Sequence, residues 1–189
     1  MMRGLREKVR PWITATLLAF LLMALLAFSP ATGAEHPTLV FVVRHAEKAK
    51  DDRRDPSLSE TGRRRAQDLA RLLSAAEVTH LFSSQFRRTQ QTLAPLAKQQ
   101  KLKIREISAG EPDKQVKALQ QLPPGSVAVL AGHSNTVPEL IRLLGGNVNE
   151  LLRREDGGWL NDDEYDRLFL VILQAGRHGT RTLEMRYGD

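Results

Sequence analysis

The stretch Thr38-Leu39-Val40-Phe41-Val42-Val43, which runs directly into Arg44-His45-Ala46-Glu47-Lys48, decides the fold class of this chain. A second apolar run, residues 126–131, leads in the same way into Gly132-His133-Ser134-Asn135-Thr136. Short β-branched runs followed by helical patterns are typical of parallel strands in an α/β sheet. Ligands bind beyond the carboxyl ends of such strands. The two segments therefore predict an anion site that contains a nucleophile.

The rest of the chain predicts a three-layer α/β/α fold with a mostly parallel sheet. Ser59 has the side chain of a helix N-cap, and an apolar stripe at helical spacing follows it. A second helix is expected to begin near Phe86 and to run toward Gln100. Further short strands are predicted at 79–82, 103–107, 168–173 and 180–186, of which the last two form a C-terminal hairpin.

Two local expectations concern the region after His133. Thr136-Val137-Pro138-Glu139 matches a capping box, which would start a helix that stops at Gly145-Gly146. Residues 147–166 are expected to form a loop or a broken helical segment. Its part from Gly157 to Asp166, with Trp159 and Tyr165, is expected either to border the pocket or to pack as an ordinary surface turn.

The first 34 residues have the order of a secretory signal. Four basic residues within the first ten precede an almost wholly apolar run from Trp12 to Phe28, and small residues end at Ala34. The run is slightly long for a signal and slightly short for a membrane span of roughly 20 residues. We therefore expect export to a periplasmic or extracellular location after cleavage at Ala34, or an uncleaved anchor formed by residues 11–28. In either case we expect residues 35–189 to form one domain.

The composition restricts the possible chemistry. The chain has no cysteine, which excludes disulfides, thiol catalysis and cysteine-ligated metal. The leading 34 residues hold four of the 28 basic and one of the 22 acidic residues, which leaves a net charge near +3 for the rest. A mildly basic domain with 5% aromatic residues favours a small anionic substrate and argues against a nucleic-acid partner.

Four blocks of the sequence, in order, resemble one family. The block around Arg44 and His45 is followed by Asp55-Pro56-Ser57-Leu58-Ser59-Glu60-Thr61-Gly62, by Ser83-Ser84-Gln85-Phe86-Arg87-Arg88-Thr89-Gln90-Gln91-Thr92 and by the block around His133. Together they resemble the histidine phosphatase superfamily, the phosphoglycerate mutase-like proteins, over roughly residues 38–186. The resemblance places Arg88 at the family's phosphate-binding arginine and Arg87 at a variable position.

The resemblance implies a phosphomonoester hydrolase in which His45 attacks phosphorus and water then releases phosphate. Arg44, Arg88 and His133 would stabilise the charge on the transferring oxygens, and Ser134 and Asn135 would bind substrate beside them. Because the two guanidiniums disfavour a second positive charge, they should lower the pKa of His45. Positioning and electrostatics suffice for this reaction, so no metal and no cofactor is expected.

The general acid that protonates the leaving group is not identified by the sequence. Glu106, Glu111 and Asp113 follow the third predicted strand, where related enzymes often hold this acid; Glu111 is the first choice, and an ordinary loop carboxylate is the alternative reading. Some family members have an aspartate directly after the second histidine, where this chain has Ser134. If no carboxyl group reaches the pocket, a good leaving group such as an aryl phosphate or phosphohistidine is favoured.

Two alternative functions stay open at this stage. A phosphoglycerate mutase-type phosphotransferase needs extra loops, which a domain of this size lacks. A non-catalytic protein that binds phosphate esters would keep the pocket without turnover. A metal pair is disfavoured because His45 and His133 are 88 residues apart with no obvious third ligand.

Overall fold

The computed structural model describes residues 36–155, 157–174 and 179–188. Residues 1–34, for which a signal or anchor is predicted, lie outside this described part. Glu35–Asp189 groups by its internal contacts into one unit. No helix in the described ranges is long and apolar enough to cross a membrane.

The described part holds eight strands and four helices. The strands are β1 Thr38–Arg44, β2 His80–Ser83, β3 Ile104–Glu106, β4 Val127–Gly132, β5 Leu152–Arg154, β6 Gly157–Trp159, β7 Arg167–Leu173 and β8 Arg181–Arg186. The helices are α1 Glu60–Leu72, α2 Arg87–Gln100, α3 Pro112–Gln120 and α4 Thr136–Leu143.

Six of the strands form one sheet in the order β3-β2-β4-β1-β7-β8. The pairs β3–β2, β2–β4 and β4–β1 are parallel, whereas β7 runs antiparallel to β1 and pairs with β8 as a hairpin. The predicted mostly parallel sheet with a C-terminal hairpin is therefore confirmed. The parallel pairs put the carboxyl ends of β1, β2 and β4 at one edge, and the amino end of β7 lies at that same edge.

Helices cover both faces of this sheet, and the central strand β1 presents apolar side chains to both of them. Val40 and Val42 pack with residues of α3 and α4 in one core cluster. Phe41 and Val43 pack with residues of α1 and α2 in a second cluster. A strand covered on both faces is a continuous apolar run rather than an alternating one, which is the pattern of residues 38–43. The three-layer architecture follows.

The start of α1 is attached to the segment that follows His45. Ser59 is the N-cap, as predicted, and its hydroxyl accepts a hydrogen bond from the backbone N–H of Gly62 at 3.0 Å. The backbone N–H of Ser59 donates to the carbonyl oxygen of Glu47 at 2.9 Å. A Cβ atom on Gly62 would lie 2.3 Å from that same carbonyl oxygen. Only glycine allows this approach of the helix to the backbone.

Two local expectations were wrong. Within 147–166, β5 and β6 form an antiparallel hairpin in place of a loop or broken helix, and the Arg154 side chain stacks on the Trp159 ring at 4.3 Å. Strands of three residues are too short to show an alternating pattern. The capping box is also absent: Asn135 is the N-cap of α4 without a side-chain bond, and the Thr136 hydroxyl instead accepts the backbone N–H of His133.

Candidate active site

The sheet brings His45 and His133 together, as expected for parallel strands that end at one edge of the sheet. Arg44 at the end of β1 is paired with Gly132 at the end of β4, and the backbone N–H of His45 donates to the carbonyl oxygen of Gly132 at 2.9 Å. The two imidazole rings follow directly, and their centroids lie 5.3 Å apart at an interplanar angle of 64°. Both side chains are buried.

The hydrogen bonds of His45 leave its Nε2 atom available for attack. Its Nδ1 atom lies 2.7 Å from the carbonyl oxygen of Ala46. Since a carbonyl oxygen can only accept, the neutral ring carries its proton on Nδ1 and its lone pair on Nε2. Burial, together with smaller contributions from the nearby His133 and Arg44, lowers the pKa of His45 to about 3, although the Ala46 hydrogen bond acts in the opposite direction. The imidazole is therefore neutral, as a nucleophile must be.

A chain of buried hydroxyls fixes the orientation of His133. Its Nε2 atom lies 2.9 Å from the hydroxyl of Ser84, which in turn lies 2.9 Å from the hydroxyl of Thr89. Thr89 donates to the carbonyl oxygen of Phe86 at 2.8 Å. The Ser84 hydroxyl therefore donates to Thr89, and the Nε2–H of His133 donates to Ser84. The lone pair of neutral His133 is then on Nδ1, which lies 3.4 Å from a guanidinium nitrogen of Arg88.

Burial also keeps His133 neutral. It lowers the pKa of this imidazole to about 4, and the positive charges of Arg88, Arg44 and Lys48 act in the same direction. The ring of Phe86 packs edge-on against the imidazole, with the centroids 5.3 Å apart.

The guanidinium of Arg44 is held by backbone carbonyls at its Nη1 atom and keeps its Nε donor free. Its Nη1 atom donates to the carbonyl oxygens of Asn161, Asp162 and Glu164 at 2.7, 3.1 and 3.1 Å. The ring of Tyr165 lies against the guanidinium, 4.1 Å from its central carbon. The Nε atom is buried and has no hydrogen-bond partner within the described residues.

Arg88 approaches the imidazoles from α2 and has the same free donor. Its Nη1 atom lies 3.6 Å from the carboxylate of Asp55, and its guanidinium lies over the ring of Phe86 at 4.2 Å. Its Nε atom is likewise buried without a partner in the described part of the chain. Burial lowers the pKa of both arginines from its ordinary, very high value. Unsatisfied buried donors on two cations, beside two neutral imidazoles, form a site for an anion.

The structure places the other predicted site residues differently. The carboxylate of Glu111 pairs with Lys114, and both line a cavity of about 480 Å³ that none of the four central side chains lines. The geometry thus gives no support to Glu111 as the acid, because this residue stands at the start of α3 and its carboxylate pairs with Lys114 in the first turn of that helix. Ser134 and Asn135 follow His133, but no hydrogen bond within the described residues links their side chains to the imidazoles; Asn135 lines a cavity of about 250 Å³ beside Trp159.

Several residues of the site were not predicted from the sequence, or only in part. The contact of Ser84 with His133, and of Thr89 with Ser84, could have been found in the sequence, because both residues stand in the block that carries Arg88. Asp55 bonds to the backbone N–H of Arg87 at the start of α2 as well as pairing with Arg88, and it too stands in a family block. The backbone carbonyls that hold Arg44 could not be predicted, because no side-chain type marks them in the sequence. The described residues contain no group of three or more histidine, aspartate or glutamate side chains arranged to hold a metal.

A model of the histidine phosphatase superfamily, branch 1, matches residues 40–155. This match includes His45, Arg88 and His133 and covers more than half of the 189 residues. The chain therefore belongs to the histidine phosphatase superfamily. A search of curated protein sequences returned no match.

Solved structures have the same fold at low sequence identity. A candidate phosphohistidine phosphatase SixA from Nakamurella multipartitia is 18% identical with a TM-score of 0.58, over 81% of this chain and 98% of that one. The protein histidine phosphatase SixA complexed with tungstate is 17% identical with a TM-score of 0.56, over 78% and 96%. A mycobacterial glucosyl-3-phosphoglycerate phosphatase is 15% identical with a TM-score of 0.55, over 79% and 97%. These likenesses confirm the predicted phosphoglycerate mutase-like fold.

A test of the hydroxyl chain is the substitution Ser84→Ala. Without its acceptor, the Nε2–H of His133 is unsatisfied and the ring loses its fixed tautomer, so kcat/KM should fall about five- to tenfold, as for the loss of one buried hydrogen bond. Ser83→Ala is the matched control, since among the described residues the hydroxyl of Ser83 bonds only to the backbone carbonyl of Ser84. Equal kinetic constants for the two variants would show that the hydroxyl chain does not act on His133.

Proposed function

We propose that this chain is a phosphomonoester hydrolase that acts through a phosphohistidine on His45. One observation carries the proposal. The Nε2 atom of the neutral His45 ring makes no hydrogen bond within the described residues, and its ring stands beside a second neutral imidazole and two guanidiniums with unsatisfied donors. A nucleophile with a free lone pair is thus placed where a tetrahedral anion is bound.

The proposed reaction has two displacements at phosphorus. In the first, the Nε2 lone pair forms a bond to phosphorus while the bond to the leaving oxygen breaks and that oxygen keeps the electron pair. Arg44 and Arg88 neutralise the charge on the non-bridging oxygens. In the second, the oxygen of water bonds to phosphorus, the phosphorus–nitrogen bond breaks, and the electron pair returns to His45. Inorganic phosphate leaves with the oxygen and the protons of water.

Turnover and trapping together test this proposal. Residues 35–189 should hydrolyse p-nitrophenyl phosphate, with undiminished rate in EDTA and inhibition by vanadate. A denaturing quench in alkali, in which phosphohistidine is stable, should leave phosphate on the wild-type chain and none on His45→Ala. Turnover that survives His45→Ala would refute the mechanism. Phosphate transfer within a phosphoglycerate, without free phosphate as product, would instead indicate a mutase.

A second proposal concerns the leaving group. Of the candidate acids, Glu111 pairs with Lys114 and Glu106 accepts a hydrogen bond from the side-chain amide of Gln90. Asp55, the carboxylate beside the phosphate-binding arginine, pairs with Arg87 and Arg88. An alkoxide needs a proton from a general acid, whereas an imidazole is a good leaving group near neutral pH without one. Two structures of this fold are described as SixA, one of them as a protein histidine phosphatase. We therefore favour phosphorus–nitrogen and aryl phosphate substrates over alkyl phosphates.

The comparison of substrates decides this second point. We expect phosphohistidine and p-nitrophenyl phosphate to be hydrolysed with kcat/KM at least about a hundredfold above glycerol phosphate, because general acid catalysis contributes that much where it is present. Equal values for the three substrates would show that a carboxyl group does supply the proton.

The pKa values predict activity and stability at acid pH. His45 must be neutral to attack, and both imidazole pKa values lie well below 6.5, so kcat/KM of the free enzyme should stay constant from pH 6.5 down to pH 5 and fall toward pH 3, where His45 becomes protonated. The folded-state pKa values lie below the unfolded value near 6.5. The unfolded chain therefore binds more protons, and the free energy of unfolding should fall as the pH drops from 6.5 to about 3. An acid limb near pH 6.5 in the rate profile would contradict this.

We also propose that residues 1–34 direct export of the domain. Expression of the full chain in a Gram-negative host, followed by fractionation and N-terminal sequencing, tests this. A mature protein that begins at Glu35 in the periplasmic fraction is expected. An intact chain in the membrane fraction would indicate the anchor, and an intact chain in the cytosol would refute both.

A further inference from the structure

We propose that Glu164 is a positioning residue for the phosphate-binding guanidinium of Arg44. The inference rests on the proposed role of Arg44 in binding the phosphoryl group. Glu164 stands in residues 160–166, called the 160–166 segment below, which join β6 to β7 at the edge of the sheet that holds the site. The structure assigns to its carboxylate the task of holding this segment in the shape that orients Arg44.

The orientation of Arg44 depends on the backbone of this segment. All three hydrogen bonds of its Nη1 atom go to carbonyl oxygens within four consecutive residues, 161–164. Tyr165, in the same segment, packs against the guanidinium and lies 6.1 Å from the His45 ring between centroids. Within the segment, one backbone bond, from the N–H of Glu164 to the carbonyl oxygen of Asn161 at 3.1 Å, fixes one of these carbonyls. The segment lacks the regular bonds of a strand or helix that would fix the others, so a further group must do so.

The carboxylate of Glu164 provides that fixation at two points. Its Oε2 atom accepts a hydrogen bond from the backbone N–H of Asn161 at 3.2 Å, which closes the turn that presents the carbonyls. The same oxygen accepts from Arg167 at 3.2 Å. These bonds hold the pKa of Glu164 below its usual value although burial opposes this.

Arg167 connects the segment to the rigid sheet. It is the first residue of β7, and its side chain is 1% exposed. Its guanidinium makes two bonds to the carboxylate of Glu184 on β8, at 2.7 and 3.0 Å, and one to the carbonyl oxygen of Asn149 at 2.9 Å. A cation that is buried and satisfied on several sides moves little. Glu164 is thus the link between a fixed cation in the sheet and the backbone that contacts Arg44.

The variant Glu164→Ala tests the proposal through phosphate binding and turnover. We expect inorganic phosphate to bind about tenfold more weakly and kcat/KM for p-nitrophenyl phosphate to fall about tenfold or more, since a displacement near 1 Å in a site has effects of this size. Glu164→Gln should retain most of both values, because its amide oxygen can accept from Asn161 and Arg167.

Glu184→Ala is the matched control for a purely structural role. It removes the other carboxylate bound to the same guanidinium, but Arg167 keeps its bonds to Glu164 and to the carbonyl oxygens of Asn149 and Glu150. Within the described residues, Glu184 makes no hydrogen bond or ion pair with the 160–166 segment. We expect Glu184→Ala to lower the Tm at least as much as Glu164→Ala while kcat/KM stays within about twofold of wild type. Parallel losses of Tm and kcat/KM across both variants would overturn the positioning role.

A double-mutant cycle with Arg44→Gln separates this inference from the proposed function. If Glu164 acts through Arg44, Glu164→Ala should change phosphate affinity less than about twofold in the Arg44→Gln background, against about tenfold in wild type. The same loss in both backgrounds would overturn the inference. A wild-type chain without His45-dependent turnover would refute the proposed function alone, and the cycle in phosphate affinity, measured by calorimetry, would still decide the role of Glu164.

Discussion

His45→Ala is expected to lower kcat for p-nitrophenyl phosphate by about 10⁴-fold, as loss of a catalytic nucleophile does in enzymes with covalent intermediates. The variant keeps the two guanidiniums and His133, so the anion site should survive. We therefore expect inorganic phosphate to bind within about threefold of its wild-type affinity. The pair of measurements assigns His45 to bond formation rather than to binding.

A second histidine provides the control for this result. His80 stands on β2, and its ring bonds to the hydroxyl of Thr79, away from the imidazole pair. His80→Ala should leave kcat and the phosphate affinity within about twofold of wild type. If His45→Ala retained more than about a tenth of the activity, His45 would be a binding group and another residue would have to attack phosphorus.

The central pair of the site was predictable because it depends on the order of strands. Parallel strands place their carboxyl ends at one edge, so two histidines that each end an apolar run must approach each other when the strands are neighbours. β1 and β4 are neighbours, and the rings lie 5.3 Å apart. Arg44, the last residue of β1, is placed at the same edge for the same reason. Arg88 is reached through the helix that follows β2, where the resemblance placed it.

The remaining parts of the site were not predictable for two physical reasons. Arg44 is oriented by carbonyls of residues 161–164, and a carbonyl is the same in every residue type, so composition and spacing carry no signal for it. Glu111 shows the second reason. A carboxylate after a strand reaches the pocket only if the loop turns toward it, and here the side chain pairs with Lys114 on α3 instead. Loop direction depends on tertiary packing rather than on local sequence.

Gly62→Ala is expected to have the largest effect on stability. In an open helical position, glycine to alanine stabilises a helix by about 1 kcal/mol. At Gly62 the new Cβ would meet the carbonyl oxygen, nitrogen and carbonyl carbon of Glu47 at 2.3, 3.0 and 3.1 Å. All three atoms belong to the backbone, which cannot rotate away as a side chain does. We expect the free energy of unfolding to fall by about 3 kcal/mol, at the upper end for overpacking.

The same substitution should also reduce activity, because Glu47 is only two residues from His45. Relief of the clash moves either α1 or the backbone that leaves β1, and the second movement shifts Ala46, whose carbonyl fixes the tautomer of His45. Gly110→Ala is the matched control: its Cβ would meet only the Ser108 hydroxyl oxygen, at an ordinary 3.8 Å. The free energy of unfolding, measured by chemical denaturation, and kcat/KM should both fall for Gly62→Ala. Neither should change for Gly110→Ala. A stable Gly62→Ala variant with wild-type turnover would show that α1 can move away without disturbing the nucleophile, and that the close approach is not required.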